Sequence, residues 1–356
     1  MNKLLEKIKA QGVPLVEYAG VKPYRGVVTG CNDAFVVDTA TKESLVEQDG
    51  TAADVIRPYL RGQDITRWHS GWDGQWMIFA RRGIDINAYP SIKKHLERFR
   101  SALEPKPKNW SGGDWPGRKP GPYQWYEIQD SIGYWREFDK PKISYQVIQF
   151  HPSYALDREG FLGNDKTFFL PIDDAYLLAV LNSPLMWWHN WRTLTHLKDE
   201  ALSPLGYMME QLPIAQPTDQ IQGEAEIAVG RLVEIAHTQQ TTRRQLLDWL
   251  RVEHDVAKPT LKLKALLDLD SDAFVVEVRK ARGRKRPLTS AALANLRDEY
   301  ARSIAPMRPL ATEALRLEHH LSDLVNAVYH LTPDEIALLW QTAPPRMPLD
   351  GPSVDE

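Results

Sequence analysis

A change of texture near residue 215 limits what this 356-residue chain can fold into. Pro213 and Pro217 bracket a short run there, and each lacks a backbone donor and fixes its own φ, so a regular helix does not run through them. Ahead of this seam the apolar runs are short and punctuated by Gly and Pro. Beyond it the apolar residues recur at helical spacing. Ile227, Leu232, Ile235, Leu246, Leu247 and Leu250 predict one long helix over 221–256. Leu288 to Tyr329 predicts one or two more. Thr332-Pro333-Asp334-Glu335 opens a last one, with an N-cap, a Pro at the first helical position and a Glu two residues on. The expected class is α+β: a mixed α/β region over 1–215, a helical region over 216–343, and a Pro-rich tail over 344–356 that is expected to fray.

Within the front region, Met1 to Gln11 reads as a helix that Pro14 stops. Tyr24–Thr29 and Ala34–Asp38 read as a hairpin, with Gly30, Cys31, Asn32 and Asp33 supplying the turn. Thr39–Gln48 reads as a short helix, Gln75–Ala80 as a strand and Tyr89–Leu103 as one amphipathic helix. Strands are expected again over Lys142–Gln149, Tyr154–Leu156 and Lys166–Leu170, then a helix over Asp174–Leu181 that Pro184 interrupts. Glu104 to Tyr123 holds five Pro, four Gly, two Trp and four basic residues. No helix or strand interior tolerates that spacing, so a long loop is expected, of the length that tends to be functional.

Charge is uneven along the chain. The net charge of −3 excludes a uniformly basic nucleic-acid coat. Yet residues 57–142 carry 16 basic against 10 acidic side chains, and residues 258–308 carry 12 against 6. Ten of the 12 Trp fall between Trp68 and Trp191. Cations interleaved with aromatics suit a phosphate backbone and stacked bases; a large core beneath solvated loops uses the same residues. A single cysteine, Cys31, excludes an intrachain disulfide and a multi-cysteine zinc site. There is no long apolar run and no apolar signal region after Met1, so no membrane partner is expected and the cytoplasm is the default compartment.

The chain has no Gly-x-Gly-x-x-Gly, no P-loop, no Gly-x-Ser-x-Gly elbow and no paired-His metal spacing. Cys31 has no local base to activate it. His319 and His320 are adjacent and point apart on a helix. Asp270, Asp272 and Glu277 are similar in type to the carboxylates of a metal-dependent nuclease, but the following Val278-Arg279-Lys280 puts Arg in the slot where such enzymes keep Lys. The segment is expected to be apolar and to feed a solvated basic linker. No catalytic, cofactor or metal residue is assigned.

Five segments, in order, carry a resemblance: Tyr24 to Gly30 with Asn32 to Phe35; Ile56 to Ile65; Pro141 to Gln146; Asn164 to Leu170; and Tyr176 to Pro184. Together they resemble the TaqI-like C-terminal specificity domain of type IIG and related adenine-specific DNA methyltransferases. The resemblance implies a module that recognises double-stranded DNA and presents it to a methyltransferase catalytic domain or subunit. That catalytic part would hold S-adenosylmethionine and the Asn-Pro-Pro-Tyr-type motif for the flipped adenine; neither is found in this sequence. The chain is therefore expected not to transfer methyl groups alone, and to be either a separate recognition subunit or a fragment.

The residues expected to touch DNA follow from charge and exposure. The long loop offers Lys106, Lys108, Trp115, Arg118, Lys119, Tyr123 and Trp125. Arg81 and Arg82 follow a strand and suit phosphate. Lys166 suits either a phosphate or a turn. Arg279, Lys280, Arg282, Arg284, Lys285 and Arg286 form the densest cationic run, either a phosphate grip or a flexible linker. Arg61 and Asp64, three residues apart, are expected to pair with each other. Two other classes remain: a scaffold whose helical region binds a catalytic subunit, and a divergent nuclease using Asp270, Asp272 and Glu277.

Overall fold

The computed structural model describes residues 1–283 and 287–352. The class is α+β. In chain order the principal strands are β1 (Tyr24–Arg25), β2 (Val36–Asp38), β3 (Ile56–Leu60), β4 (Gln75–Ile78), β5 (Lys142–Gln146), β6 (Tyr154–Asp157), β7 (Leu162–Gly163) and β8 (Thr167–Leu170). They form two four-stranded sheets, ordered β1-β8-β5-β6 and β2-β4-β3-β7. The short stretch between β6 and β8 carries β7 across to the other sheet, where it pairs in parallel with β3. This ties the sheets together.

In β5 both faces are buried over Lys142 to Tyr145, so the strand lacks the alternation of a half-exposed strand. Its one charge, Lys142, sits directly opposite Asp157 on β6. The two form an ion pair at 2.7 Å with almost no exposure. A one-residue slip would bury both charges unpaired, so the pair pins the register.

The helices are α1 (Asn2–Gln11), α2 (Ala175–Asn182), α3 (Pro184–Thr193), α4 (Asp219–His254), α5 (Ser271–Arg282), α6 (Ser290–Ser303), α7 (Met307–Val328) and α8 (Pro333–Gln341); shorter helical pieces are given by residue. Thr218 caps α4 by accepting from the Ile221 N–H. At a rise of about 1.5 Å per residue α4 is about 54 Å long, and its two halves serve different cores. Ala225, Ala228, Val229 and Leu232 join a cluster with Leu4 and Ile8 of α1, α2, Ile143 and Tyr145 of β5, and Val325 of α7. Leu246 and Leu250 join a separate cluster with Phe274, Val278, Leu296 and Tyr300, which makes the last turns of α4, α5 and α6 a helical arm. A third cluster fills the space around the β2-β4-β3-β7 sheet. The first of these cores spans the seam at residue 215, because α4 and α7 dock their apolar stripes on α2.

Three expectations are corrected. The hairpin over Tyr24–Thr29 and Ala34–Asp38 does not form: β1 pairs with β8 and β2 with β4, and Asn32–Phe35 is a helical turn. Long-range partners outcompeted the local turn. The helix over Tyr89–Leu103 breaks at Arg98–Phe99 into Pro90–Glu97 and Arg100–Leu103. Residues 272–280 form the apolar segment expected and lie within helix α5, with Phe274, Val275 and Val278 in the arm's core. The tail beyond Pro344 does not fray over its described part: Trp187 Nε1 donates to the Pro345 carbonyl at 3.1 Å, Arg67 Nη1 to that of Pro348 at 3.2 Å, and Leu349 is buried. The capping box at Thr332 and Glu335 forms as expected.

Candidate nucleic-acid interface

Arg61 and Asp64 shape the first wall of a polar concavity. The Arg61 backbone N–H and Nε both donate to Asp64 Oδ2, at 2.8 and 2.9 Å, and Nη2 donates to Oδ1 at 2.8 Å. This closes the Gly62–Asp64 turn on itself, as expected for that pair, and Asp64 is buried while Gln63 is exposed. The neighbouring wall is the turn between β7 and β8. Asn164 donates its backbone N–H to the Leu60 carbonyl at 3.1 Å and accepts from the Lys166 N–H through Oδ1 at 3.0 Å. Gly26 passes so close that a Cβ there would lie 2.0 Å from the Asn164 carbonyl oxygen, so only glycine fits. Gln146 ends β5 and donates through Nε2 to the Ile65 carbonyl at 2.6 Å. Asn32 accepts from Thr29 Oγ1 at 2.6 Å. With Gln75 at the start of β4, these side chains, Arg61 and Lys166 line an open cavity of about 550 Å³.

Tyr59 also lines it, and burial raises its phenol to about 12, so it stays a neutral hydroxyl. The cations are balanced by neighbouring carboxylates. Arg61 also reaches Asp73 at 3.3 Å, and Lys166 pairs with Asp165 at 2.9 Å. The concavity therefore presents hydrogen-bonding groups more than net charge.

The residues singled out by charge do not gather in the concavity; Arg82, Arg118 and Tyr123 instead pack together, both guanidiniums over the Tyr123 ring. Arg118 is a correction. It is 4% exposed, and its five N–H groups go to five backbone carbonyls: Nε to Leu103, Nη1 to Thr29 and Glu127, and Nη2 to Gln124 and Trp125, at 2.7–3.2 Å. It organises the irregular loop from within and has no donor left for DNA. Tyr123 and Trp125 are likewise buried, Tyr123 stacked 4.5 Å from the Arg118 guanidinium. Trp115 is half-buried, donating to the Glu104 carbonyl at 3.0 Å. Lys108 and Lys119 are exposed and Lys106 partly so. Arg81 lies over Trp135 at 3.9 Å, and Arg82 donates to the Gln129 carbonyl at 2.8 Å. Lys166 is exposed and, among the described residues of that set, is the one in the concavity.

On the arm, Arg279 and Lys280 are exposed near the end of α5, and Arg282 donates to the His254 carbonyl at 2.8 Å. Arg284, Lys285 and Arg286 lie outside the described residues. The three carboxylates of the nuclease alternative are engaged separately. Asp270 caps α5, Asp272 pairs with Arg297 at 2.9 Å, and Glu277 is buried and accepts from Thr260 Oγ1 at 2.7 Å. They do not converge on one point among the described residues.

Charge as a guide passes over the carboxamides. A usable signal exists in the sequence: Asn32, Gln63, Gln146 and Asn164 all fall inside the segments that carry the family resemblance, and Asn and Gln are the side chains that pair with adenine edges.

Comparison with known proteins matches this architecture to a class. Residues 57–214 match the family model of the TaqI-like C-terminal specificity domain. Residues 218–325 match a domain family of unknown function, DUF8810. A stretch of 126 residues is 33% identical to the type II methyltransferase M.PaeR7I of Pseudomonas aeruginosa, covering 33% of this chain and 19% of that protein. Two solved structures are similar: the type IIL restriction-modification enzyme MmeI in complex with DNA (13% identity, 91% of this chain and 35% of that one, TM-score 0.45) and the type IIG restriction endonuclease BpuSI (12%, 86% and 33%, TM-score 0.41). The chain thus spans only about a fifth of its curated relative. No helix among the described residues is long and apolar enough to cross a membrane.

Proposed function

We propose that this chain is the DNA target-recognition module of a restriction-modification or phage-defence adenine-N6 methyltransferase. It grips double-stranded DNA while a catalytic domain or subunit, with its S-adenosylmethionine, flips and methylates the base. The observation that carries this reading is the specificity-domain match over residues 57–214. The match to a type II methyltransferase points the same way. Exposed Lys108, Lys119, Arg279 and Lys280, with the partly exposed Lys106, then serve as sequence-independent phosphate contacts that fix orientation, and base edges are read elsewhere on the surface. A DNA-recognition role fits the cytoplasm expected from the sequence.

The test is selection from a pool of randomised duplexes at low and moderate salt, using the full chain alone and mixed with a methyltransferase catalytic subunit. A recognition module enriches one motif and binds with an affinity that falls linearly in log–log against salt. Failure to bind any duplex at low salt in either format refutes the proposal.

A further inference from the structure

We infer that the carboxamide-lined concavity is the base-reading surface, and that Gln63 and Gln75 select adenine edges in the major groove of double-stranded DNA; this rests on the recognition reading above. Four observations converge. First, Asn32, Gln63, Gln75, Gln146 and Asn164 come from five separated stretches of sequence yet line one cavity of about 550 Å³. A carboxamide carries a donor and an acceptor side by side, the pattern that matches adenine N6 and N7 and that a phosphate, which only accepts, does not need.

Second, the five differ in what the fold already asks of them. Gln146 spends its NH2 on the Ile65 carbonyl, Asn164 its oxygen on the Lys166 N–H, and Asn32 its oxygen on Thr29. The side chains of Gln63 and Gln75 make no hydrogen bond among the described residues, so both ends of each carboxamide are available. Gln63 is exposed and Gln75 half-exposed.

Third, the charge balance argues for reading rather than gripping. Arg61 is held by Asp64 and Asp73, Lys166 by Asp165, and Asp33 also lines the cavity. A surface built to neutralise phosphates does not pair its own cations with carboxylates. Polar groups of both signs suit hydrogen bonds to base edges.

Fourth, the frame is rigid. The Gly62–Asp64 turn is closed by three Arg61–Asp64 bonds, Gln146 ties β5 to Ile65, and Asn164 is packed against Gly26. Gln63 therefore projects from a turn that does not have to order on binding, and the entropy cost of placing its amide is low.

The experiment repeats the randomised-duplex selection with Gln63→Ala, Gln75→Ala and, as a control, Lys108→Ala. Urea unfolding of each variant checks that the fold is kept. Wild type is expected to enrich a motif containing A·T pairs. Each glutamine variant is expected to lose discrimination at one adenine position by about 10-fold, the size of one bidentate base contact, with the salt slope unchanged. Lys108→Ala is expected to weaken all sequences alike and reduce the salt slope. A wild-type motif that persists unaltered in both glutamine variants overturns the inference and leaves the recognition reading standing. A wild type that enriches no motif removes the recognition reading and this inference with it.

Discussion

Replacing Arg118 tests whether the long Gly- and Pro-rich loop is a DNA-reaching arm or a folded part of the domain. In the wild type five N–H donors meet five main-chain carbonyls, from Leu103, Thr29, Glu127, Gln124 and Trp125. Those carbonyls come from three parts of the chain that no sheet joins. Hydrogen bonds to a charged group contribute about 1.5–3 kcal/mol each. Taking the guanidinium out of water costs several kcal/mol in return, and burial pulls its pKa below the ordinary arginine value. Arg118→Met removes the cation and leaves buried carbonyls without donors. The net loss is about 3–5 kcal/mol, in line with breaking a buried polar network. With a urea dependence of about 2 kcal/mol per molar, the midpoint falls by about 2 M. Arg118→Lys supplies three donors from one point and is expected to fall nearly as far, because the planar fork is what spans the carbonyls. Trp115 and Trp125 beside this site make tryptophan fluorescence a direct probe. A midpoint within about 0.3 M of wild type in both variants, with DNA binding lost, would mean that the guanidinium faces the nucleic acid and that the structural assignment is wrong.

Two further predictions concern stability. Lys142→Met strands the Asp157 carboxylate in the core and is expected to cost about 3–5 kcal/mol, whereas Lys142→Met with Asp157→Asn recovers most of it; calorimetric midpoints that show no such recovery would contradict the register-pinning role. Burial holds His189 down at about 4, and burial together with His237 and Arg244 does the same for His69. The unfolded chain takes up protons below about 6.5 but the folded one does not until about 4, so stability is intact at neutral pH and falls as pH drops through that window. The drop is about 2 kcal/mol for His189 at pH 5 and less for the more exposed His69. A His189→Gln variant is expected to lose part of the difference between urea midpoints at pH 7 and pH 5, and an undiminished difference would remove His189 as its source.

Local patterns were legible where the interactions are local. The long helix α4, the α8 capping box and the Arg61–Asp64 pair are set by residues within a few positions of each other, and they form as the sequence suggests. The family resemblance also survives, because it lies in ordered short segments rather than in any three-dimensional arrangement. Reading failed where a distant partner decided. The Gly30–Asp33 turn had hairpin chemistry, yet β1 found β8 more than 140 residues away.

The site shows the same division. Sequence alone determined the class of fold, the uneven charge and the stock of Arg, Lys and aromatic residues. It could not tell a cation that faces water from one that faces five carbonyls, because Arg118 and Lys119 are neighbours in the chain and opposite in exposure. Burial is a property of the packed chain. Only the tertiary structure decided which polar residues line one cavity. Gln63, Gln75 and Gln146 meet because two sheets are joined through β7, and no spacing along the chain encodes that proximity.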